Sequence, residues 1–105
     1  MFQEGKKLTV IVRGDVERNN SGSCFYNSTV FTDITCGEFI RNSCVNLGID
    51  PDTHDGMTRN VRVYTLKDEE EVLWNYDPSS SLEESPLVNA PKLRIVEISS
   101  KKSKR

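Results

Sequence analysis

Three cysteines, one histidine and a loose group of aspartates are the residues of this 105-residue chain that could carry covalent or metal chemistry. A thiol nucleophile needs a base held within hydrogen-bond reach, because the thiolate is the reactive form. Cys24, Cys36 and Cys44 fall on strand-like and helix-like segments, whereas His54 lies in a Gly/Asp stretch beside Asp55, a neighbour in sequence only. No spacing brings a thiol to the imidazole, and neither a glycine-rich phosphate loop nor an HExxH pattern occurs. The odd cysteine count without a CxxC pair fits neither a disulfide framework nor a zinc knuckle. Asp50, Asp52 and Asp55 come near the spacing of a calcium loop, but its other positions, including the closing glutamate, are missing. These residues lead us to expect no enzyme, no metal and no cofactor.

Composition bounds what else the chain can do. A length of 105 residues supports one core, and 35% apolar against 29% charged residues calls for a compact core with long polar loops. We expect one domain over residues 1–99 and a disordered basic tail over 100–105. No apolar run is long enough for a bilayer span or a secretory signal, so a cytoplasmic or nuclear protein without membrane contact is expected. Asn19-Asn20-Ser21 and Asn27-Ser28-Thr29 then read as chance matches to the glycosylation pattern. The stretch Lys101 to Arg105 holds four of the fourteen cationic side chains, which leaves ten against sixteen acidic groups in the body. An acidic body argues against nucleic-acid binding, which calls for a basic patch.

The elements that must position any functional residue follow from periodicity. Lys7 to Arg13 alternates with Leu8, Val10 and Val12 on one face and Thr9 and Ile11 on the other, so it reads as a central strand with some cover on both sides. A polar stretch from Gly14 to Gly22 makes a hairpin loop, and Ser23 to Phe31 suits a half-exposed edge strand. The helix is expected within Thr32 to Ile49. Thr35 caps it, Glu38 closes a capping box, and Cys36, Phe39, Ile40, Cys44 or Ser43, and Leu47 form its buried stripe. Gly48 stops it. Asp50 to Asn60 reads as a loop, Arg62 to Leu66 and Val72 to Trp74 as a second hairpin around an acidic turn, and Asn75 to Pro91 as a long crossing loop with room for a helical turn at Leu82. Lys92 to Ile98 closes the fold as a strand. Strand, strand, helix, strand, strand, strand is the succession of an α+β, ubiquitin-like β-grasp: a mixed sheet of about five strands on one main helix, with first and last strands central and parallel.

Within that layout, Thr35-Cys-Gly-Glu-Phe-Ile-Arg-Asn-Ser-Cys-Val-Asn-Leu-Gly-Ile49 resembles the helix of Ras-association domains. Arg62 to Leu66, Asp68 to Leu73 and Lys92 to Glu97 are similar to the second half of such domains, so the resemblance spans Lys7 to Ile98. It implies a non-catalytic protein-protein interaction module whose second-strand edge, Phe25, Tyr26, Asn27, Ser28 and Thr29, pairs with a strand of a Ras-family small GTPase by β-augmentation. It also implies that basic residues meet an acidic partner surface, for which Lys7, Arg13, Arg18 and Arg41 are the candidates by position. The second strand itself carries no lysine or arginine, a departure from that family's pattern. The alternative is a scaffolding or self-association module of the PB1 type, using the acidic run Asp68-Glu69-Glu70-Glu71. Trp74 and Tyr76 read as core or loop-anchoring aromatics.

Overall fold

The computed structural model describes residues 6–15 and 23–98. Seven strands and one α-helix are present among them: β1 (Lys7–Asp15), β2 (Ser23–Phe31), α1 (Cys36–Asn46), β3 (Thr53–His54), β4 (Met57–Thr58), β5 (Val61–Lys67), β6 (Glu70–Leu73) and β7 (Lys92–Glu97). The architecture is α+β: a five-stranded mixed sheet in the order β2-β1-β7-β5-β6, with α1 laid against one face. β1 and β7 run parallel, and every other pairing in the sheet is antiparallel. β7 is therefore the middle strand and β2 an edge, as periodicity indicated.

The helix forms where its end signals place it. Thr35 caps it by accepting the Glu38 N–H through Oγ1 at 3.2 Å. At the other end the Gly48 N–H reaches the Val45 carbonyl and the Ile49 N–H the Cys44 carbonyl. That pair of bonds is a Schellman stop, and it requires the left-handed φ of +85° that Gly48 adopts without a Cβ penalty. The helix is thus shorter than the Thr32 to Ile49 window, because Thr32 to Ile34 are spent on the turn out of β2. Its buried stripe is Cys36, Phe39, Ile40, Ser43 and Cys44, followed by Leu47. These pack on Val10 and Val12 of β1, Leu93 and Ile95 of β7, and Val63 of β5. Each fully buried aliphatic or aromatic side chain contributes roughly 1.5–3 kcal/mol, so this layer dominates the fold's stability.

Two expectations need correction. Thr9 and Ile11 of β1 are exposed, so the described residues cover the sheet on one face only. The crossing loop adds to the cover on the helix side: it carries a helical turn at Leu82, and Leu82 and Leu87, in 3-10 turns Leu82–Glu84 and Pro86–Val88, are fully buried in the same core as α1. Finally, Asp50 to Asn60 is not plain loop but contains the β3–β4 hairpin, turned at Asp55-Gly56 with φ of +54° and +83°. Asp-Gly is the dipeptide that a type I′ turn demands. Residues 100–105 and Arg18 lie outside the described residues.

The thiols on the helix are part of the core. Burial first, then the charges of Asp77 and Glu84, pushes Cys36 up to about 11, and burial with Glu97 pushes Cys44 up to about 12. At pH 8 both stay protonated and unreactive. Iodoacetamide should leave Cys36 and Cys44 unmodified in the folded protein while labelling both in denaturant, as peptide mass spectrometry would read. Rapid native labelling of Cys44 would contradict the packing. Because the unfolded chain ionises these thiols near 9.0, their contribution to stability is complete below that pH and falls away as pH rises toward the folded-state values.

Candidate partner-binding edge and sheet face

The β1–β2 ladder fixes which backbone groups of β2 face outward. Thr32 N–H bonds the Lys6 carbonyl at 2.8 Å, and β1 pairs with β2 over nine consecutive positions without a bulge. Hydrogen-bonded and non-bonded pairs alternate along an antiparallel ladder. The bonded pairs are then Leu8/Val30, Val10/Ser28 and Val12/Tyr26. The Ile11 N–H agrees with this phase, since it turns away from β2 to the Pro91 carbonyl at 2.9 Å. Phe25, Asn27, Thr29 and Phe31 therefore direct their N–H and C=O groups off the free edge of the sheet.

Nothing among the described residues protects that edge. Natural edge strands are blunted by lysine, proline, bulges or very short length. β2 is nine residues long, has neither proline nor any charged side chain, and pairs in continuous register. The feature that departs from the Ras-association pattern is thus also what leaves the edge open.

Side chains divide the named residues differently. Phe25, Asn27 and Thr29 project onto the open sheet face, with Phe25 71% exposed. Tyr26 and Ser28 point to the helix layer, where Tyr26 packs against the core and its hydroxyl accepts from Asn46 Nδ2 at 3.3 Å. Lys7 and Arg13 stand on the open face, the former 5.7 Å from the Phe31 ring centre in a cation–π contact. Arg41 is on the exposed stripe of α1, in the other layer. The structure therefore joins Lys7 and Arg13 to the β2 edge but sets Arg41 apart from them.

Sequence reasoning missed the rest of the open face. Cross-strand register lines up Phe25, Arg13, Arg94, Tyr64 and Leu73 in one row over all five strands. Arg94 bridges two carboxylates: Nη2 to Asp15 Oδ2 at 2.6 Å and Nη1 to Glu71 Oε1 at 2.7 Å, with its guanidinium 5.9 Å from the Tyr64 ring centre. Hydrogen bonds from Arg94, to Asp15 foremost, raise its already high pKa and hold it charged. The alternation of Lys92, Arg94 and Val96 against Leu93 and Ile95 was the available signal. Among the described residues the one ion-pair contact of His54 is with Asp55, at 3.6 Å on the exposed β3–β4 hairpin, and no hydrogen bond joins it to Cys36 or Cys44.

No protein-family model matches the chain, and a search of curated proteins finds no similar sequence. No described helix is long and apolar enough to cross a membrane.

Proposed function

We propose that the protein is a non-catalytic interaction module of the ubiquitin-like β-grasp class that takes an extended segment of a partner along the free edge of β2. The observation that carries this reading is an edge of nine residues with outward backbone groups at Phe25, Asn27, Thr29 and Phe31 and, among the described residues, no protective device. A strand added there gains backbone hydrogen bonds, while Phe25 and Phe31 supply side-chain contacts on the open face. The parallel central pair β1 and β7, with a hairpin before the helix, supports the β-grasp assignment. The sequence resemblance to Ras-association domains makes a small GTPase in its GTP-bound form the partner class to try first.

The test is an NMR titration of the labelled chain with Ras-family GTPases loaded with a GTP analogue or with GDP. Shifts across Phe25 to Val30 that need the GTP form are expected. Asn27→Pro should abolish them: it removes an outward donor and fills the edge, costing more than tenfold in affinity, while sparing the β1–β2 bonds. Head-to-tail self-association through the acidic turn is the competing arrangement, and Glu69→Lys with Glu70→Lys separates the two because it leaves edge pairing intact. No shifts with any GTPase would sink the GTPase assignment, and unchanged binding by Asn27→Pro would sink the edge mode.

A further inference from the structure

The open face of the sheet carries a second surface that does not depend on the β2 backbone. Beside the row already described, Ile11, Lys92 and Leu66 line up on β1, β7 and β5. A shallow open cleft of about 280 Å³ there is lined by the apolar groups of Ile11, Phe25, Tyr64 and Leu66 and by the cations Arg13 and Lys92 beside Arg94. Ile11 is 42% exposed and Phe25 71%, so the sheet leaves apolar surface on the face that no described helix or loop covers.

Charge selects the occupant. The body of the chain is acidic, yet among the described residues the open face presents Lys7, Arg13, Arg62, Lys92 and Arg94 against only Asp15 and Glu71. Both carboxylates are committed to Arg94 at 2.6 and 2.7 Å, and Arg13 keeps a long contact of 3.7 Å to Asp15. Lys92 has no ion-pair partner among the described residues. Of the three cations that line the cleft, Arg94 is thus fixed in place, and Lys92 and Arg13 are left to meet an incoming anion.

We propose that this cleft binds an acidic peptide segment of a partner protein, one apolar side chain of which seats on Ile11 between Phe25 and Tyr64 while its flanking carboxylates meet Lys92 and Arg13. Such a ligand answers both halves of the surface at once: the apolar lining is removed from water, and the cations gain partners that their own chain does not supply.

The experiment uses a fluorescent synthetic peptide in which glutamates flank a single phenylalanine, and its counterpart with lysines for glutamates, titrated by anisotropy against the full chain. The glutamate peptide should bind, weaken with added salt, and lose about tenfold or more with Lys92→Glu or Arg13→Glu. Phe25→Ala should weaken it without a change of charge, and thermal unfolding checks that each variant is folded. Arg41→Glu, in the other layer, should bind as the parent does, as should Asn27→Pro, which separates this site from the edge. The inference is overturned if the glutamate peptide does not bind, if the lysine peptide binds equally, if Arg41→Glu costs as much as Lys92→Glu, or if single-stranded DNA displaces the peptide and binds more tightly, which would mark a phosphate-binding surface.

Discussion

Phe39→Ala should destabilise the domain by about 3–5 kcal/mol, which is a large part of the ~5–15 kcal/mol that folded domains have in total. Phe39 is the largest side chain in the centre of the core, 1% exposed, and comes from the one α-helix that covers the sheet. Its removal forfeits the transfer energy of the ring and leaves a void that β1, β7 and β5 cannot collapse to fill, since each is held on both sides by ladder bonds. The measurement is urea denaturation followed by circular dichroism, in which the midpoint should fall with little change of slope. Val45→Ala is the control on the same helix: Val45 is 55% exposed, and its replacement should change stability by no more than about 0.5 kcal/mol. A Phe39 variant as stable as the control would refute the packing of α1 on the sheet.

Gly37→Ala should also destabilise, by about 1–3 kcal/mol, although helix propensity alone points the other way. Glycine in a helix costs up to ~1 kcal/mol relative to alanine, so a residue-by-residue reading scores this substitution as an improvement. The structure reverses the sign. A Cβ on Gly37 would stand 2.5 Å from the Gly56 carbonyl oxygen and 2.8 Å from Pro78 Cβ, and the first of these is backbone. The approach is that close because the loop after β6 caps the helix: the Cys36 N–H donates to the Ser80 carbonyl at 2.7 Å and the Gly37 N–H to the Pro78 carbonyl at 3.1 Å. Moving the loop to admit a methyl group would lengthen both bonds and expose two of the helix's first amide groups. Denaturation of Gly37→Ala beside the parent decides it, and an unchanged or higher midpoint would show that the loop yields at no cost. The same loop carries an acid-sensitive lock. Asp77 accepts from the Ser79 N–H at 3.0 Å, and this bond, with hydroxyl bonds from Ser80 and Ser79, lowers its pKa. Its contribution is complete above the ordinary carboxylate range and is lost as pH falls through the lowered value.

These two positions also show how far the chain could be read without coordinates. Phe39 was legible because the stripe from Cys36 to Leu47 is a local pattern, and the signals at Thr35 and Gly48 lie within a turn of the bonds they make. Gly37 was not, since its neighbours Gly56 and Pro78 are brought to it by the fold. The β3–β4 hairpin lies between these cases. Asp55-Gly56 carried a local turn signal, but the strands on either side are two residues each and show no alternation to confirm it. The Asp68-Glu69 turn, with φ of +53° and +69° at both residues, carries no glycine and so gave no warning of its geometry.

What the sequence alone determined is the five strands of the main sheet, the helix and the position of β2 at an edge, for these depend on short-range periodicity, caps and the polarity of single strands. It also determined that β2 carries no charge, which is a matter of residue type. Only the tertiary structure decided that the second face of the sheet stays open and that Arg13, Tyr64, Lys92 and Arg94 meet there. The physical reason is that alternation along a strand defines two faces without saying which one will be covered. With a single helix, the cover goes to the side where α1, Leu82 and Leu87 share one core. The groups left on the other side come from strands far apart in the chain, and register alone makes them neighbours.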